Sequence, residues 1–178
     1  AEVPKNIDDK PLSFDRLLRP ETTAGTYAAF YHMFGKDYMR VKKMLPVVLW
    51  QFGKSFRSEQ LRPLSELRFQ EFYQLEYQLF YAADSGADYF TCARDSAVKS
   101  IAGLCGSERW SYMSVDKDSL AHYAEKTTDI FVDVPEIEVG AISQRKDFHE
   151  YVKVVEVSIG LDRLTALQTV LRDGISLR

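Results

Sequence analysis

The amino-acid sequence predicts an α+β fold: an antiparallel β-sheet with helices packed against it. Three observations carry this. Residues 68–81 alternate between two side-chain faces over the length of a long strand. Three more runs rich in β-formers, 130–134, 137–143 and 152–159, follow one another closely. Amphipathic helical stretches flank these strands, yet few parallel-crossover signals join one strand to the next, which disfavours a doubly wound sheet.

In chain order, residues 1–14 are polar and contain proline, and 1–17 read as an entry arm ahead of one domain spanning 18–178. Residues 21–35 place Tyr27, Phe30, Tyr31 and Phe34 at three- and four-residue steps, the spacing of one helix face. Val47 to Phe56 is a short apolar run suited to a strand. Residues 94–104 and 119–125 are expected to be helical. A last helix over 161–171 gathers Leu164, Leu167, Val170 and Leu171 on one side.

Composition narrows the function classes. The 10 Tyr, 11 Phe and 2 Trp among 178 residues disfavour disorder. A net charge of −3 offers no sequence-wide grip on nucleic acid, although a local basic face is compatible with it. The longest apolar runs, such as Leu45-Pro46-Val47-Val48-Leu49-Trp50, are too short to cross a bilayer, and no secretory signal is visible. Cys92 and Cys105 fit no zinc spacing and read as reduced, mostly buried thiols of a cytosolic protein. His32, His122 and His149 are scattered and read as surface or hydrogen-bonded core residues. Gly53-Lys54-Ser55 resembles the end of a phosphate-binding loop, but the glycine required at position 48 is Val48.

The long alternating segment carries the chemistry. One face holds Phe69, Glu71, Tyr73, Leu75 and Tyr77; the other holds Arg68, Gln70, Phe72, Gln74, Glu76 and Gln78. A polar face with one Phe in its middle is either a solvated surface or the floor of a pocket for a charged ligand with an aromatic base. Just upstream, Arg57 and Glu59 share a face if the preceding strand continues through them. A hairpin would then present Arg57, Glu59, Arg68, Phe72 and Glu76 together. Paired guanidinium groups suit phosphate or carboxylate, because the planar fork matches both.

These residues resemble motif 2 of the class II aminoacyl-tRNA synthetases, F-R-x-E, a loop, then R-x-x-x-F. Leu18-Arg19-Pro20-Glu21-Thr22-Thr23-Ala24-Gly25 resembles the L-R-P-E-T-A-Q-G segment of the glycyl-tRNA synthetases. Residues 138–147, from Glu138 through Arg145 to Asp147, are similar to that family's E-L-x-G-I-A-x-R-T-D. Residues 156–163, with Glu156, Ser158, Gly160, Asp162 and Arg163, resemble its motif 3, E-P-S-x-G-x-D-R. The four blocks stand in family order across residues 18–171.

The resemblance implies a role for each matching position. Arg57 would hold the ATP α-phosphate and the amino-acid carboxylate, and Glu59 would contact the adenine edge. Arg68 belongs to the same ATP-binding motif. Phe72 would stack on adenine, with Arg163 covering its other face and reaching the γ-phosphate. Glu138 and Glu156 would hold phosphate-bound Mg²⁺. Glu21, Glu76, Arg145, Glu156 and Ser158 would recognise glycine. The implied activity is glycyl-adenylate formation from ATP and glycine, followed by transfer to tRNA. Arg57, Phe72, Glu76 and Arg163 should then converge on one cleft.

Departures limit what is carried over. Only 17 residues precede Leu18, too few for the family's motif 1 helix and dimer strand, so the oligomer is left open. An anticodon-binding domain is not expected within these 178 residues, which stop shortly after motif 3. Ala24, Gln70 and Ala141 stand where the family has Gln, Arg and Gly. The motif 2 loop, 61–66, lacks the family's Pro-Arg pattern, which weakens the expectation for the tRNA acceptor end. Two other readings use the same residues: a non-catalytic interaction protein built on this fold, and a ligase passing an activated amino acid to a non-tRNA acceptor.

Overall fold

The computed structural model describes residues 18–35, 37–57, 67–105, 110–133 and 136–173. Six strands, β1 (Val47–Phe56), β2 (Glu71–Ala82), β3 (Trp110–Ser114), β4 (Ala124–Asp133), β5 (Glu136–Arg145) and β6 (Val152–Gly160), form one sheet. Their order is β1-β2-β6-β5-β4-β3, and every neighbouring pair is antiparallel. Strands β3 to β6 run as a meander, while β1 and β2 lie beside β6. Four helices accompany the sheet: α1 (Thr23–Phe34), α2 (Tyr38–Lys42), α3 (Tyr89–Cys105) and α4 (Leu161–Asp173). The α+β arrangement is the expected one.

The two faces of the sheet are covered differently. On one face, Val98 and Ile101 of α3 and Leu164 and Leu167 of α4 pack on Ile142, Val155, Val157 and Ile159. On the other, Phe30 of α1 lies 4.2 Å from Phe80 between ring centroids, with Val154, Leu49 and Phe148 around them. Val154 and Val155 are neighbours on β6 yet join different clusters, as strand alternation requires. Between the α1 cluster and the far end of β2, that second face is floored by polar side chains.

Helix ends follow local chemistry with one exception. Asp37 caps α2 by accepting the Met39 and Arg40 N–H groups. Gly35 closes α1 at φ 75° and donates its N–H to Tyr31, a conformation that favours glycine. Thr22, at the start of α1, makes no cap hydrogen bond with its side chain. Its hydroxyl goes to Glu76 instead, so a local helix interaction gives way to a contact with the sheet.

Several expectations need correction. Residues 119–125 are not a helix: a short 3-10 turn covers Lys117–Ser119, and Ala124 already begins β4. Tyr123 lies in the intervening turn, where its ring covers Arg145 at 3.9 Å, a tertiary contact that outweighs helix propensity. Helix α3 starts five residues before the expected Arg94, after Asp88, which accepts from the Thr91 N–H and hydroxyl. Elements α2 and β3 were not anticipated. Cys92 is exposed rather than buried. The entry arm, Glu59 and the motif 2 loop lie outside the described residues. Among the described residues, no helix is long and apolar enough to cross a membrane.

Strand β2 inverts the usual sense of amphipathicity. Its polar residues Gln74, Glu76 and Gln78 are buried, whereas Tyr73 and Tyr77 are 40% and 37% exposed. Trp50 pairs with Tyr77 across β1 and β2 and is 65% exposed at this edge of the sheet. Trp110, on β3 at the opposite edge, is half-buried and packs against the core.

Candidate functional site

The polar face gathers two adjoining groups of side chains. The first lines a cleft of about 70 Å³ between Arg57, Phe72, Glu138, Ser158 and Arg163, with Leu67 and Gly160 among its walls. Arg57 follows β1, and its guanidinium lies 5.1 Å from the centre of the Phe72 ring. Arg163, in the first turn of α4, donates from Nε to the Leu67 carbonyl and from Nη1 to the Glu138 carbonyl, both at 2.9 Å. The Glu138 carboxylate lies 3.7 Å from the same Nη1. A flat ring with guanidinium groups nearby suits a planar base and anionic groups.

Glu138 reaches this face through a β-bulge. Ile130 pairs with Gly140 and Phe131 with Glu138, leaving Val139 as the extra residue. Beyond the bulge, Ala141, Ser143 and Arg145 point to the polar face while Ile142 enters the core. Strict alternation back from Ser143 would send Glu138 toward the core; the extra residue restores it to the polar face. A Cβ at Gly140 would stand 2.6 Å from the Ser158 carbonyl, so this crossing of β5 and β6 needs glycine. Asp129, on β4 near Glu138, has its carboxyl pushed up to about 6, by burial first and then by the Glu138 charge.

The second group is closed. Glu76, Gln78, Glu156 and Arg145 are each at most 4% exposed. Register places Glu76 opposite Ser158 and Gln78 opposite Glu156, so β2 and β6 present them as one cluster. One oxygen of Glu156, Oε2, accepts from Arg145 Nη1 at 2.8 Å, Thr23 at 2.7 Å and Gln78 at 3.1 Å. Glu76 Oε2 accepts from Thr22 at 2.5 Å, with Thr23 and Gln78 both at 3.3 Å. Glu76 Oε1 and Gln78 Oε1 are buried without a donor.

Arg145 is held from every side. It donates to Asp147 through Nε at 3.0 Å and Nη2 at 2.7 Å, a bidentate pair, and lies 3.5 Å from Glu21. The rings of Tyr123 and Tyr27 flank its guanidinium, and the Tyr27 hydroxyl donates to Asp147. Burial works against its charge, but Asp147 and Glu156 more than offset this and keep it fully protonated. Burial and the nearby Glu156 push Glu76 above the usual carboxylate range. Burial likewise raises Glu21, partly offset by Arg145, and raises the Tyr123 hydroxyl to about 12.

The expected residues are therefore split. Arg57, Phe72, Glu138, Ser158 and Arg163 meet at the open cleft. Glu76, Glu156, Arg145 and Glu21 form the closed cluster, with Ser158 on the strand between them. The expected convergence of Glu76 with Arg57, Phe72 and Arg163 on one cleft thus takes the form of two neighbouring compartments. Arg68 is exposed and outside the cleft lining. Thr22, Thr23, Gln78, Tyr27, Tyr123 and Asp147 were not anticipated as site residues. Gln78 carried a signal as a polar residue at the end of the alternating face, and Thr22, Thr23 and Asp147 lay within the family-like blocks without an assigned role.

No family model matches the chain. Curated relatives do. It is 34% identical over 136 residues to the glycine–tRNA ligase of Mycoplasma capricolum, covering 74% of this chain and 29% of that protein. With the glycine–tRNA ligase of Mycoplasma genitalium it is 33% identical over 147 residues, 79% of this chain and 31% of the relative. With that of Bacillus cereus it is 30% identical over 136 residues, 74% of this chain and 29% of the relative. The chain thus spans about three tenths of the length of these relatives. Similarity over most of the chain to several such ligases, joined to an antiparallel sheet flanked by helices, places it: this is a class II aminoacyl-tRNA synthetase-like core related to the glycine–tRNA ligases.

Proposed function

We propose that this chain activates glycine with ATP, forming glycyl-adenylate, and passes the glycyl group to the acceptor end of a tRNA. The observation that supports this most directly is the adjacency of an open cleft rich in arginine to a buried carboxylate cluster with an unmatched acceptor. Phe72 offers a stacking face for adenine, and Arg57 and Arg163 offer positive charge to the phosphates. Glu76 and Glu156 receive the α-ammonium group. Glu21 belongs to the same compartment through Arg145. Ser158, one strand position beyond Glu156 on the same face, sits where the amino acid and the nucleotide meet.

The reaction requires no side-chain nucleophile. The glycine carboxylate attacks the α-phosphorus of ATP, the new C–O–P bond forms, and pyrophosphate leaves with the electrons of the broken P–O bond. This chain's part is to hold the reacting atoms in line and to stabilise charge that develops on the phosphoryl oxygens. Mg²⁺ bound to the phosphates would supply further neutralisation. Glu138 fits such an ion, standing half-exposed at the cleft with Asp129 nearby. Glu156 fits less well, because its Oε2 already accepts three donors. Among the described residues, no group of three or more His, Cys, Asp or Glu is placed to hold a metal.

Pyrophosphate exchange into ATP, measured with each of the twenty amino acids, tests the reading. Exchange is expected with glycine, at least ~tenfold faster than with alanine or serine, since overpacking a closed site by one methyl costs roughly 1–3 kcal/mol. Glu76→Ala should lose glycine activation and keep ATP binding. Equal use of alanine overturns the glycine assignment. Absence of exchange with every amino acid favours the non-catalytic reading, and a charged product on a carrier protein but not on tRNA favours the non-tRNA ligase.

A further inference from the structure

Gln78 is fully buried on the polar face, and its hydrogen bonding is incomplete in a specific way. Its Nε2 lies 3.3 Å from Glu76 Oε2 and 3.1 Å from Glu156 Oε2. Both partners are carboxylate oxygens, which only accept, so the amide orientation is decided by chemistry: the nitrogen must face them. The two amide hydrogens serve two carboxylates, one on β2 and one on β6. Gln78 Oε1 is left without a donor, as is Glu76 Oε1 on the residue two positions before it, on the same face of the strand.

The two carboxylates are not equally supported. Glu156 is compensated by the Arg145 guanidinium. Among the described residues, Glu76 receives only the uncharged donors Thr22, Thr23 and Gln78, and the Thr23 hydrogen is shared with the closer Glu156 oxygen. A buried acceptor without a donor is costly, and two in one cluster call for a ligand that donates and accepts nothing. A primary ammonium, with three N–H donors, is that kind of group.

We propose that Gln78 is a positioning and specificity residue of the amino-acid site: its Nε2 ties Glu76 and Glu156 into one receptor, and its Oε1, with Glu76 Oε1, accepts the incoming ammonium. This rests on the reading that an amino acid binds here, and it adds a neutral amide to a receptor otherwise made of carboxylates. The amide supplies a donor where a third carboxylate would repel. It also rewards a cation with an acceptor that adds no charge to be neutralised when the site is empty.

The charged and titratable groups around Gln78 come from every neighbouring element: Glu76 on β2, Glu156 on β6, Arg145 on β5, Asp147 after it, Glu21 before α1, Tyr27 on α1 and Tyr123 before β4. A carboxyl placed at position 78 could donate only while protonated, and then through one O–H to one of the two carboxylates. Burial among these carboxylates would raise its pKa, so the stability it supplies is present at acid pH and lost as pH rises through that value.

Two variants of the 178-residue chain test this. Gln78→Met keeps the length and removes donor and acceptor; it should raise the KM for glycine in pyrophosphate exchange by ~tenfold or more, with the KM for ATP within about twofold. An unchanged glycine KM, or an equal rise for ATP, overturns the proposal. Gln78→Glu should have its thermal midpoint closest to wild type at pH 5 and a widening deficit toward pH 8, read on ligand-free protein. A deficit that does not change with pH overturns the positioning role. If the wild type shows no glycine-dependent exchange, the amino-acid reading fails and the recognition half of the proposal with it; the thermal measurement still decides whether Gln78 holds the carboxylate pair.

Discussion

The open cleft and the closed cluster share one sheet face but solve opposite problems. Arg57 is exposed at the cleft, with its guanidinium over the half-buried Phe72 ring. Around Arg145 every approach is taken: two tyrosine rings, Asp147, Glu156, Glu21 and Thr23. A large anion that arrives hydrated needs charge that can adjust around it. Acceptors that are buried and fixed suit a small cation, because in such surroundings each interaction is stronger and each mismatch costlier. Substitution of Arg145, whose charge holds the cluster together, should therefore act on folding, and substitutions in the cleft on turnover.

The sharpest way to break this contrast is Arg145→Met. It leaves Glu156 and Asp147 without their shared cation, and losing one partner of a buried pair costs about 3–5 kcal/mol. Urea denaturation should show that loss; a midpoint like that of the wild type would mean the cluster is not rigidly interdependent. Next comes Arg163→Ala in the cleft, expected to reduce pyrophosphate exchange by ~10²–10³. Its unfolding free energy should change far less, since the two carbonyls it serves lie at a cleft open to water. A large stability loss with little change in turnover would reverse the assignment of the two compartments.

Gly140→Ala probes the seam. The added methyl meets the Ser158 carbonyl, where β5 and β6 join the two compartments, and should cost roughly 1–3 kcal/mol. It should also weaken glycine and ATP use together, a joint effect that neither compartment's own variants produce. Exchange kinetics with each substrate varied in turn would show it.

The smallest expected effect concerns Asp129. Its folded pKa, about 6, lies above the ordinary aspartate value, so its contribution to stability is complete in acid and is lost as pH rises through about 6. Asp129→Asn should flatten that part of the thermal stability profile by less than ~1 kcal/mol, given its half-exposed position. A profile between pH 4 and 8 identical to that of the wild type would remove Asp129 from the electrostatics of the cleft.

Local pattern made much of this legible from the sequence. Strand β2 was visible from alternation, α1 and α4 from their helical steps, and β5 and β6 from short runs of β-forming residues. Arg57, Phe72, Glu76 and Arg163 were singled out by motif resemblance, and strand parity puts Phe72 and Glu76 on one face of β2. What escaped is what depends on distant partners. Thr22 and Thr23 read as ordinary helix-start residues, yet their hydroxyls reach Glu76 and Glu156 across 54 and 133 positions of sequence. The bulge at Val139 shifts parity by one without any local sign in the apolar pattern, so the face Glu138 occupies could not be read from alternation. The turn at residues 121–124 mimics a helix in composition; its course is set by the Ala124 N–H donating to the Ala121 carbonyl, the Lys146 N–H donating to the Tyr123 carbonyl and the packing of Tyr123 on Arg145.

The two tryptophans make the sheet's edges separately audible. Trp50 is largely in water on β1, and Trp110 is half-sheltered against the core on β3, with four strands between them. A polar quencher should extinguish the emission of the first much more readily than that of the second. Each single Trp→Phe variant would then report from one margin of the sheet, so fraying at β1 could be timed independently of fraying at β3, without any introduced label.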